Sequence, residues 1–425
     1  MMHKLSRRRI DRLENILIAL LTCTALFLVG KTGMFQAVTG AQYGQGSGMA
    51  ASGFQGMVLS RETPVRLMAQ TDAGRYGIQY DQTAADDLYH SGLDNLLIQS
   101  LVDMDKPKAV SEAAWQQAVT QGESWIYYDF LYNVSFDSGK EREGRLFLLL
   151  VKNGRVEEVY YYNQETEESY VGRVKESELS LPKVLKRLTP NDAKFVFERE
   201  DLAGALPGYM MVLPQVPSCR VYQVANPLAQ LDGTTRENLL EKLSFNTRAS
   251  SVYESADSTV IREGVDTLRI QKDGTVSFHG TESADARYQA LSQRQIDLQI
   301  KAEEILDQIM LDMPSEVQMR CQSIETLADG SVELTFCYLL DGAKVQLWKE
   351  GWAARFVFRG AGLTSFEICL RQYQGTEETC AILPEAQAAA AAEAMGQGGK
   401  ELQLCYRDDG SSDEIFVGWT VREPG

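Results

Sequence analysis

The sequence predicts an α+β fold: a single N-terminal transmembrane helix followed by two or three extracytoplasmic domains of antiparallel sheet packed with helices. Three observations predict it. A basic segment precedes a long apolar run near the start of the chain. Short apolar runs typical of strands alternate with tight turn signals, and helical segments lie between groups of these strands.

Residues 1–14 are predicted to be a cytoplasmic tail and residues 15–35 a transmembrane anchor. The tail carries five Lys and Arg residues, and the uncharged run after it continues beyond Lys31, whose ammonium can reach the headgroups on its aliphatic stem. The positive charge places the N-terminus in the cytoplasm and the body outside a single-pass cell membrane. A cleaved signal peptide is the alternative, although no small-x-small cleavage motif directly follows the run.

One face of the predicted anchor is rich in small residues, which favour close packing of helices in lipid. We therefore predict a helix-packing face there. It consists of Ala19, Cys23, Leu26, Gly30 and Gly33.

Residues 36–56 lack charge and are rich in Gly, Ser, Ala and Gln, which predicts a flexible linker. The chain of 425 residues has a net charge of −17, and the part after residue 14 is more acidic still. Such a body repels phosphate backbones, so nucleic acid is not an expected partner.

Residues 57–217 are predicted to form an N-terminal α+β domain. Ser111 is the expected N-cap of one helix, and Asn153-Gly154 is a strong turn signal between two strands. The predicted elements are helices over 83–101, 111–120 and near 177–188, and strands over 125–136, 145–151 and 155–162.

Residues 218–282 are predicted to form a central α+β domain and residues 283–425 a C-terminal one. The longest predicted helix, 284–310, places apolar residues on one face: Tyr288, Leu291, Leu298, Ala302, Ile305 and Ile309. The other predicted elements are helices over 235–243 and 384–394, and strands over 258–262, 265–271, 274–279, 316–326, 331–340, 343–349, 352–358, 363–373, 401–406 and 414–421.

The residue patterns of common catalytic, cofactor and metal sites are missing from the sequence, so we predict none of these sites and no enzyme. His90 and His279, the two histidines outside the tail, lie near no nucleophile motif. The acidic segment 408–414 is better explained as a hairpin turn than as a calcium loop. Six cysteines follow the anchor in an even number that permits disulfides, but buried free thiols explain them equally well.

Tyrosines concentrate on the strands of the N-terminal domain. Tyr127 and Tyr128 are consecutive, as are Tyr160, Tyr161 and Tyr162, and consecutive strand residues point to opposite faces of a sheet. Some of these rings are therefore expected at the surface, where they could contact a protein. Trp348, Trp352 and Trp419 are interpreted as sheet core.

Three parts of the chain together resemble the YycH family and its relative YycI. These parts are the basic and apolar start through Phe35, the segment NPLAQLDGTTRENLLEKLSFN with VYESADSTVIREGVDTLRIQKDGTVSF, and the end from VELTFCYLLDGAKVQLWKEGWAARFVF to LQLCYRDDGSSDEIFVGWTV. The resemblance implies a YycI-like C-terminal domain. It also implies a non-enzymatic regulator of a WalK-type membrane sensor histidine kinase that controls cell-wall metabolism. A YycI-like protein or a second copy of this chain are further candidate partners.

Two other functions remain open from the sequence alone. The body could be an extracytoplasmic binding module for cell-wall fragments or for a secreted protein. It could also be a secreted hydrolase, whose site would have to combine carboxylates with perturbed pKa values.

Overall fold

Two large sheets, of seven and eleven strands, form the framework of the residues that the structure describes. The computed structural model describes residues 62–136, 142–175, 181–229, 232–281, 286–310, 317–348 and 351–422. Nearly all strand pairs are antiparallel, and helices pack beside the sheets, so the described part has the α+β fold expected from the sequence.

The seven-stranded sheet is built from the N-terminal part of the described chain, in the strand order β2-β1-β4-β5-β6-β7-β3. Asn153 and Gly154 both have positive φ values, 51° and 75°, in the two-residue turn between β5 and β6 that the sequence predicts. The strands are β1 Arg66–Thr71, β2 Gly74–Gln79, β3 Lys108–Val110, β4 Ser124–Ser135, β5 Glu143–Lys152, β6 Arg155–Asn163 and β7 Glu168–Arg173.

Two smaller sheets follow along the chain. One pairs β8 Lys194–Phe195 with β9 Met211–Val212. The other has the order β20-β10-β22. Its strands are β10 Arg220–Ala225, β20 Gln372–Thr379 and β22 Glu414–Ile415.

The eleven-stranded sheet combines strands from the predicted central and C-terminal domains. Its order is β11-β12-β13-β14-β19-β18-β16-β17-β21-β23, with β15 paired to β16, and β17 runs parallel to β21. The strands are β11 Ser251–Glu254, β12 Ser258–Glu263, β13 Asp266–Gln271, β14 Thr275–His279, β15 Gln318–Thr326, β16 Val332–Leu340, β17 Ala343–Leu347, β18 Ala354–Arg359, β19 Gly362–Cys369, β21 Leu402–Asp408 and β23 Val417–Val421.

The helices lie between these groups of strands. A π-helical turn over Tyr89–Leu93 joins helix α1, Gln82–Leu88, to helix α2, Asp94–Asp103. Gly92 in this turn has a φ of 119°, which bends the single helix that the sequence predicts. The α-helices are α1 Gln82–Leu88, α2 Asp94–Asp103, α3 Glu112–Gln121, α4 Gly233–Lys242, α5 Gln295–Met310 and α6 Glu385–Ala394. Lys183–Arg187, in the region of a predicted helix, forms a short 3-10 helix.

One continuous apolar core joins one face of the seven-stranded sheet to the eleven-stranded sheet. Helices α2 and α5 contribute to it, through residues such as Leu97 and Leu298, which are fully buried. A second core covers the opposite face of the seven-stranded sheet, where α3 packs together with part of segment 193–213. The seven-stranded sheet is therefore covered on both faces.

Further sequence predictions were wrong in detail, and the strand predicted over 414–421, for example, is divided into β22 and β23. The helix predicted over 284–310 begins only at Gln295, because the backbone before it binds the turn between β18 and β19: Ala290 N donates to Ala361 O at 2.8 Å, and Leu363 N donates to Tyr288 O at 3.0 Å. Leu291, predicted to lie on the apolar face of this helix, precedes the helix and is 87 % exposed.

The strand predicted over 363–373 is in fact two strands, β19 and β20. Between them, Leu370 N donates to Gly274 O at 2.9 Å and Arg371 N donates to the Tyr338 hydroxyl at 3.1 Å. These bonds draw the backbone away from the sheet ladder.

The predicted tail, anchor and linker lie outside the described residues. Wherever residues 62–422 are described, no helix is both long enough and apolar enough to cross a membrane. The domain boundaries at 217/218 and 282/283 stay predictions.

Candidate ligand-binding cleft

A cleft of about 500 Å³ opens on the face of the seven-stranded sheet that α3 covers. Its walls come from the start of α3, from strands β3, β5, β6 and β7, from the turn between β6 and β7, and from segment 193–213. Ligand sites of proteins are typically concave, with volumes of about 300–1,000 Å³, lined by aromatic residues and a few polar groups. The cleft has this character.

Strand alternation supplies the rings on the floor of the cleft. Tyr161 packs into the core on one face of the sheet, whereas Tyr160 and Tyr162 lie half-buried on the face of α3. Tyr127 and Tyr128 divide between the two faces in the same way, but both are fully buried. Of the five tyrosines singled out in the sequence, Tyr162 is the one that lines the cleft.

Helix α3 supplies a second wall. Ser111 is its N-cap, as predicted, and its hydroxyl accepts a hydrogen bond from Ala114 N at 3.4 Å. This cap fixes the first turn of the helix, so that Glu112 and Trp115 both line the cleft. The indole of Trp115 packs edge-on against Tyr160, with ring centroids 6.0 Å apart.

Segment 193–213 closes the cleft from the other side. The ring of Tyr209 stacks on that of Tyr162, with centroids 5.8 Å apart and an angle of 29° between the planes. The hydroxyl of Tyr127 donates to the carbonyl oxygen of Tyr209 at 3.1 Å, which holds this segment against the sheet. Both rings of the stacked pair are therefore held in place, Tyr162 by strand β6 and Tyr209 by the hydrogen bond from Tyr127.

The charged groups that line the cleft are carboxylates. They belong to Glu112 on α3 and to Glu167 and Glu168 at the start of β7. Burial, reinforced by the charge of Glu167, raises the pKa of Tyr162 above its ordinary value. Burial likewise raises the pKa of Tyr209 to about 12, so both hydroxyls stay protonated at neutral pH.

One buried donor of a residue that lines the cleft has no hydrogen-bond partner among the described residues. Trp115 is only 4 % exposed, and its indole N–H has no hydrogen-bond acceptor among the described residues. Buried polar groups are nearly always paired in proteins, so an unpaired one is uncommon.

A buried network of charges connects strands β1, β4 and β5 with Glu401, which directly precedes β21. Arg145 on β5 donates to both oxygens of Glu401, at 2.8 and 2.7 Å, and its Nη2 lies 3.1 Å from Asp129. Arg66 on β1 contacts both carboxylates as well, with Nε 2.6 Å from Asp129 as an ion pair. Arg422 Nη1 lies 3.6 Å from Glu401.

This network is a structural clamp. Asp129, Arg145, Arg66 and Glu401 are all at most 6 % exposed, and their charges are mutually compensated. Burial alone would raise the pKa of Glu401, but Arg145 and Arg66 outweigh burial and hold that pKa well below its ordinary value. Glu401 therefore joins the C-terminal strands to β1, β4 and β5 without offering a reactive group.

The sequence-predicted helix-packing face of Ala19, Cys23, Leu26, Gly30 and Gly33 lies outside the described residues. The six later cysteines form no disulfide among the described residues, and five of them are buried. Within the described chain no group of three or more His, Cys, Asp or Glu side chains is placed to hold a metal ion.

The acidic segment 408–414 and two of the tryptophans interpreted as sheet core lie within the described residues. Asp409, in the acidic segment, accepts hydrogen bonds from the backbone N–H groups of Ser411 and Ser412, both at 2.8 Å, as expected of a turn. Trp348 and Trp419 are half-buried and pack against the core of the C-terminal strands.

The cleft itself was not predicted from the sequence. The available signal was the pair of half-exposed tyrosines on β6, followed directly by the acidic turn at 165–168. Phe197 and Tyr209 carried no signal, because their segment has no hydrophobic periodicity and reaches the sheet only through tertiary packing.

Comparison with known proteins gives no assignment. No protein-family model, curated protein or solved structure matches this chain. The resemblance to the YycH family stays a prediction.

Proposed function

We propose that this protein is a non-enzymatic extracytoplasmic binding module whose ligand, a soluble cell-wall fragment, occupies the aromatic and acidic cleft. The observation that carries the proposal is the cleft itself. Its volume of about 500 Å³ suits a small sugar–peptide fragment, and the stacked rings of Tyr162 and Tyr209 offer an apolar wall fixed by tertiary contacts. The carboxylates offer polar groups for orientation.

Calorimetric titration of the full-length protein in detergent with a soluble digest of peptidoglycan tests this proposal. Tyr162→Ala removes half of the stacked pair, so we expect it to weaken binding about tenfold, which corresponds to 1.4 kcal/mol. Tyr253→Ala is the matched control, because Tyr253 is 58 % exposed and lies on β11, away from the cleft. A digest that does not bind, or that binds equally well to Tyr162→Ala, would contradict the proposal.

A second candidate function is regulation of a membrane sensor histidine kinase that controls cell-wall metabolism. It is favoured by the basic tail before the apolar run of residues 15–35 and by the resemblance described above. In this proposal the anchor is a transmembrane helix that packs laterally against helices of the kinase, and the outer domains bias that packing. A regulator of this kind shifts the kinase only through different affinities for its two states.

Exchange of residues 15–35 for an unrelated transmembrane helix separates the two functions. The kinase should copurify from native membranes with the original protein and not with the exchange variant. Gly30→Leu with Gly33→Leu should also abolish regulation while the protein stays in the membrane. Regulation that survives both changes would exclude the helix-packing mechanism.

A further inference from the structure

We propose that the cleft recognises a free ammonium group carried on the aliphatic side chain of a peptide. This inference rests on the proposed binding function and names the part of the wall fragment that the cleft selects, namely the amine of its peptide stem.

The lining is acidic on two sides. Glu112 reaches the cleft from α3, and Glu167 and Glu168 reach it from the turn into β7, while the described residues that line the cleft include no Lys, Arg or His. The Glu112 carboxylate accepts a hydrogen bond from Gln116 at 3.2 Å, and Glu168 accepts one from the hydroxyl of Tyr170. These bonds restrain two of the carboxylates and leave their negative charge in place.

Glu112 is also held close to the opposite wall. A Cβ atom on Gly208 would lie 3.0 Å from Oε1 of Glu112, so this carboxylate rests against the backbone of segment 193–213. It therefore lies beside Gly208, which directly precedes Tyr209 in the chain.

An anionic ligand is disfavoured at this place. The N-terminus of a helix attracts negative charge, and the start of α3 lines the cleft. Ser111 and Glu112 already supply the cap and the negative charge that this helix end favours. What remains for an incoming ligand is the field of Glu167 and Glu168, which favours a cation.

The aromatic rings of the cleft also suit an aliphatic side chain that ends in an ammonium group. The rings of Tyr162 and Tyr209, both half-buried, can cover an aliphatic stem, and an ammonium group within about 6 Å of such a ring gains a cation–π interaction.

The test compares two small probes that differ in the terminal ammonium group. Nα-acetyl-lysine amide carries the ammonium group, and Nα-acetyl-norleucine amide is its neutral analogue of similar length. Titrated into the full-length protein in detergent, the lysine probe should bind at least about tenfold more tightly. Because two carboxylates carry this preference, it should decrease as salt is added.

Two matched double variants test whether Glu167 and Glu168 cause the preference for the lysine probe. Glu167→Gln with Glu168→Gln should reduce the preference for the lysine probe to about twofold or less. Glu157→Gln with Glu165→Gln removes the same net charge from exposed positions that do not line the cleft, and it should leave the preference unchanged.

The outcomes separate this inference from the proposed function. If the peptidoglycan digest binds at the cleft but both probes bind equally, the ammonium inference is wrong and the binding module stands. If a preference for lysine persists in the Glu167→Gln, Glu168→Gln variant, the inference is also wrong. If neither the digest nor the lysine probe binds, both proposals fail.

Discussion

Replacement of Glu401 by Gln tests whether the buried charges hold the C-terminal strands to the seven-stranded sheet. The change keeps the shape of the side chain and removes its negative charge. Arg66 and Arg145 then share Asp129 as their nearest carboxylate, although both guanidinium groups remain almost completely buried. Two buried cations with one compensating anion are poorly solvated.

The expected cost follows from this geometry. Removal of one partner from a buried ion pair typically destabilises a protein by about 3–5 kcal/mol, because an uncompensated charge is left behind. Glu401 accepts two bonds from Arg145 and one from Arg66, so we expect a value within that range. Because interactions with the arginines depress the pKa of Glu401, the stability they contribute is complete above its unfolded pKa of about 4.5 and is lost as the pH falls.

Urea unfolding of the full-length protein, followed by circular dichroism at pH 7 and again at pH 3, measures this cost. Glu157→Gln is the control, because Glu157 pairs with Lys152 at 3.9 Å in an exposed position and should contribute less than about 1 kcal/mol. A loss below about 1 kcal/mol for Glu401→Gln at pH 7, equal to that of the control, would refute the clamp.

Two further predictions concern other buried positions. Burial, reinforced by the charge of Glu303, raises the pKa of Glu62 to about 8, so the free energy of unfolding should fall between about pH 5 and pH 8 as this carboxyl ionises. Glu62→Gln should reduce this pH-dependent loss of unfolding free energy by up to roughly 4 kcal/mol, as measured by urea titrations at several pH values. An unchanged pH profile would contradict the raised pKa of Glu62. Gly342 has a φ of 74°, and a Cβ atom there would lie 2.8 Å from the backbone of Tyr80. Gly342→Ala should therefore cost about 2 kcal/mol or more, whereas Gly330→Ala, with a similar φ but open space around it, should cost about 1 kcal/mol; equal melting temperatures for the two variants would exclude the contact.

The parts of the fold that sequence reasoning predicted are those with local causes. Ser111 caps α3 because its hydroxyl reaches a backbone N–H three residues later. Asn153 and Gly154 turn β5 into β6 because both residues tolerate positive φ. Such features are determined within a few residues and can be identified without knowing the rest of the chain.

Features that depend on distant contacts were not predicted. Residues 286–294 have a helical pattern, but hydrogen bonds to residues 361 and 363 hold them outside the helix. The ion pair between Arg66 and Glu401 joins residues 335 positions apart. Tyr209 meets Tyr162 only after segment 193–213 has folded onto the sheet. Sequence patterns carry no information on which of these segments will meet.

Hydrogen–deuterium exchange on the full-length protein, with and without the peptidoglycan digest, tests the central claim most directly. If the cleft is the binding site, the ligand should slow exchange at the start of α3, around residues 162–169 and around residues 208–210. The outer strands β11 and β12 of the eleven-stranded sheet should exchange as before. Protection that appears elsewhere in the described chain and leaves these three segments unchanged would contradict the claim.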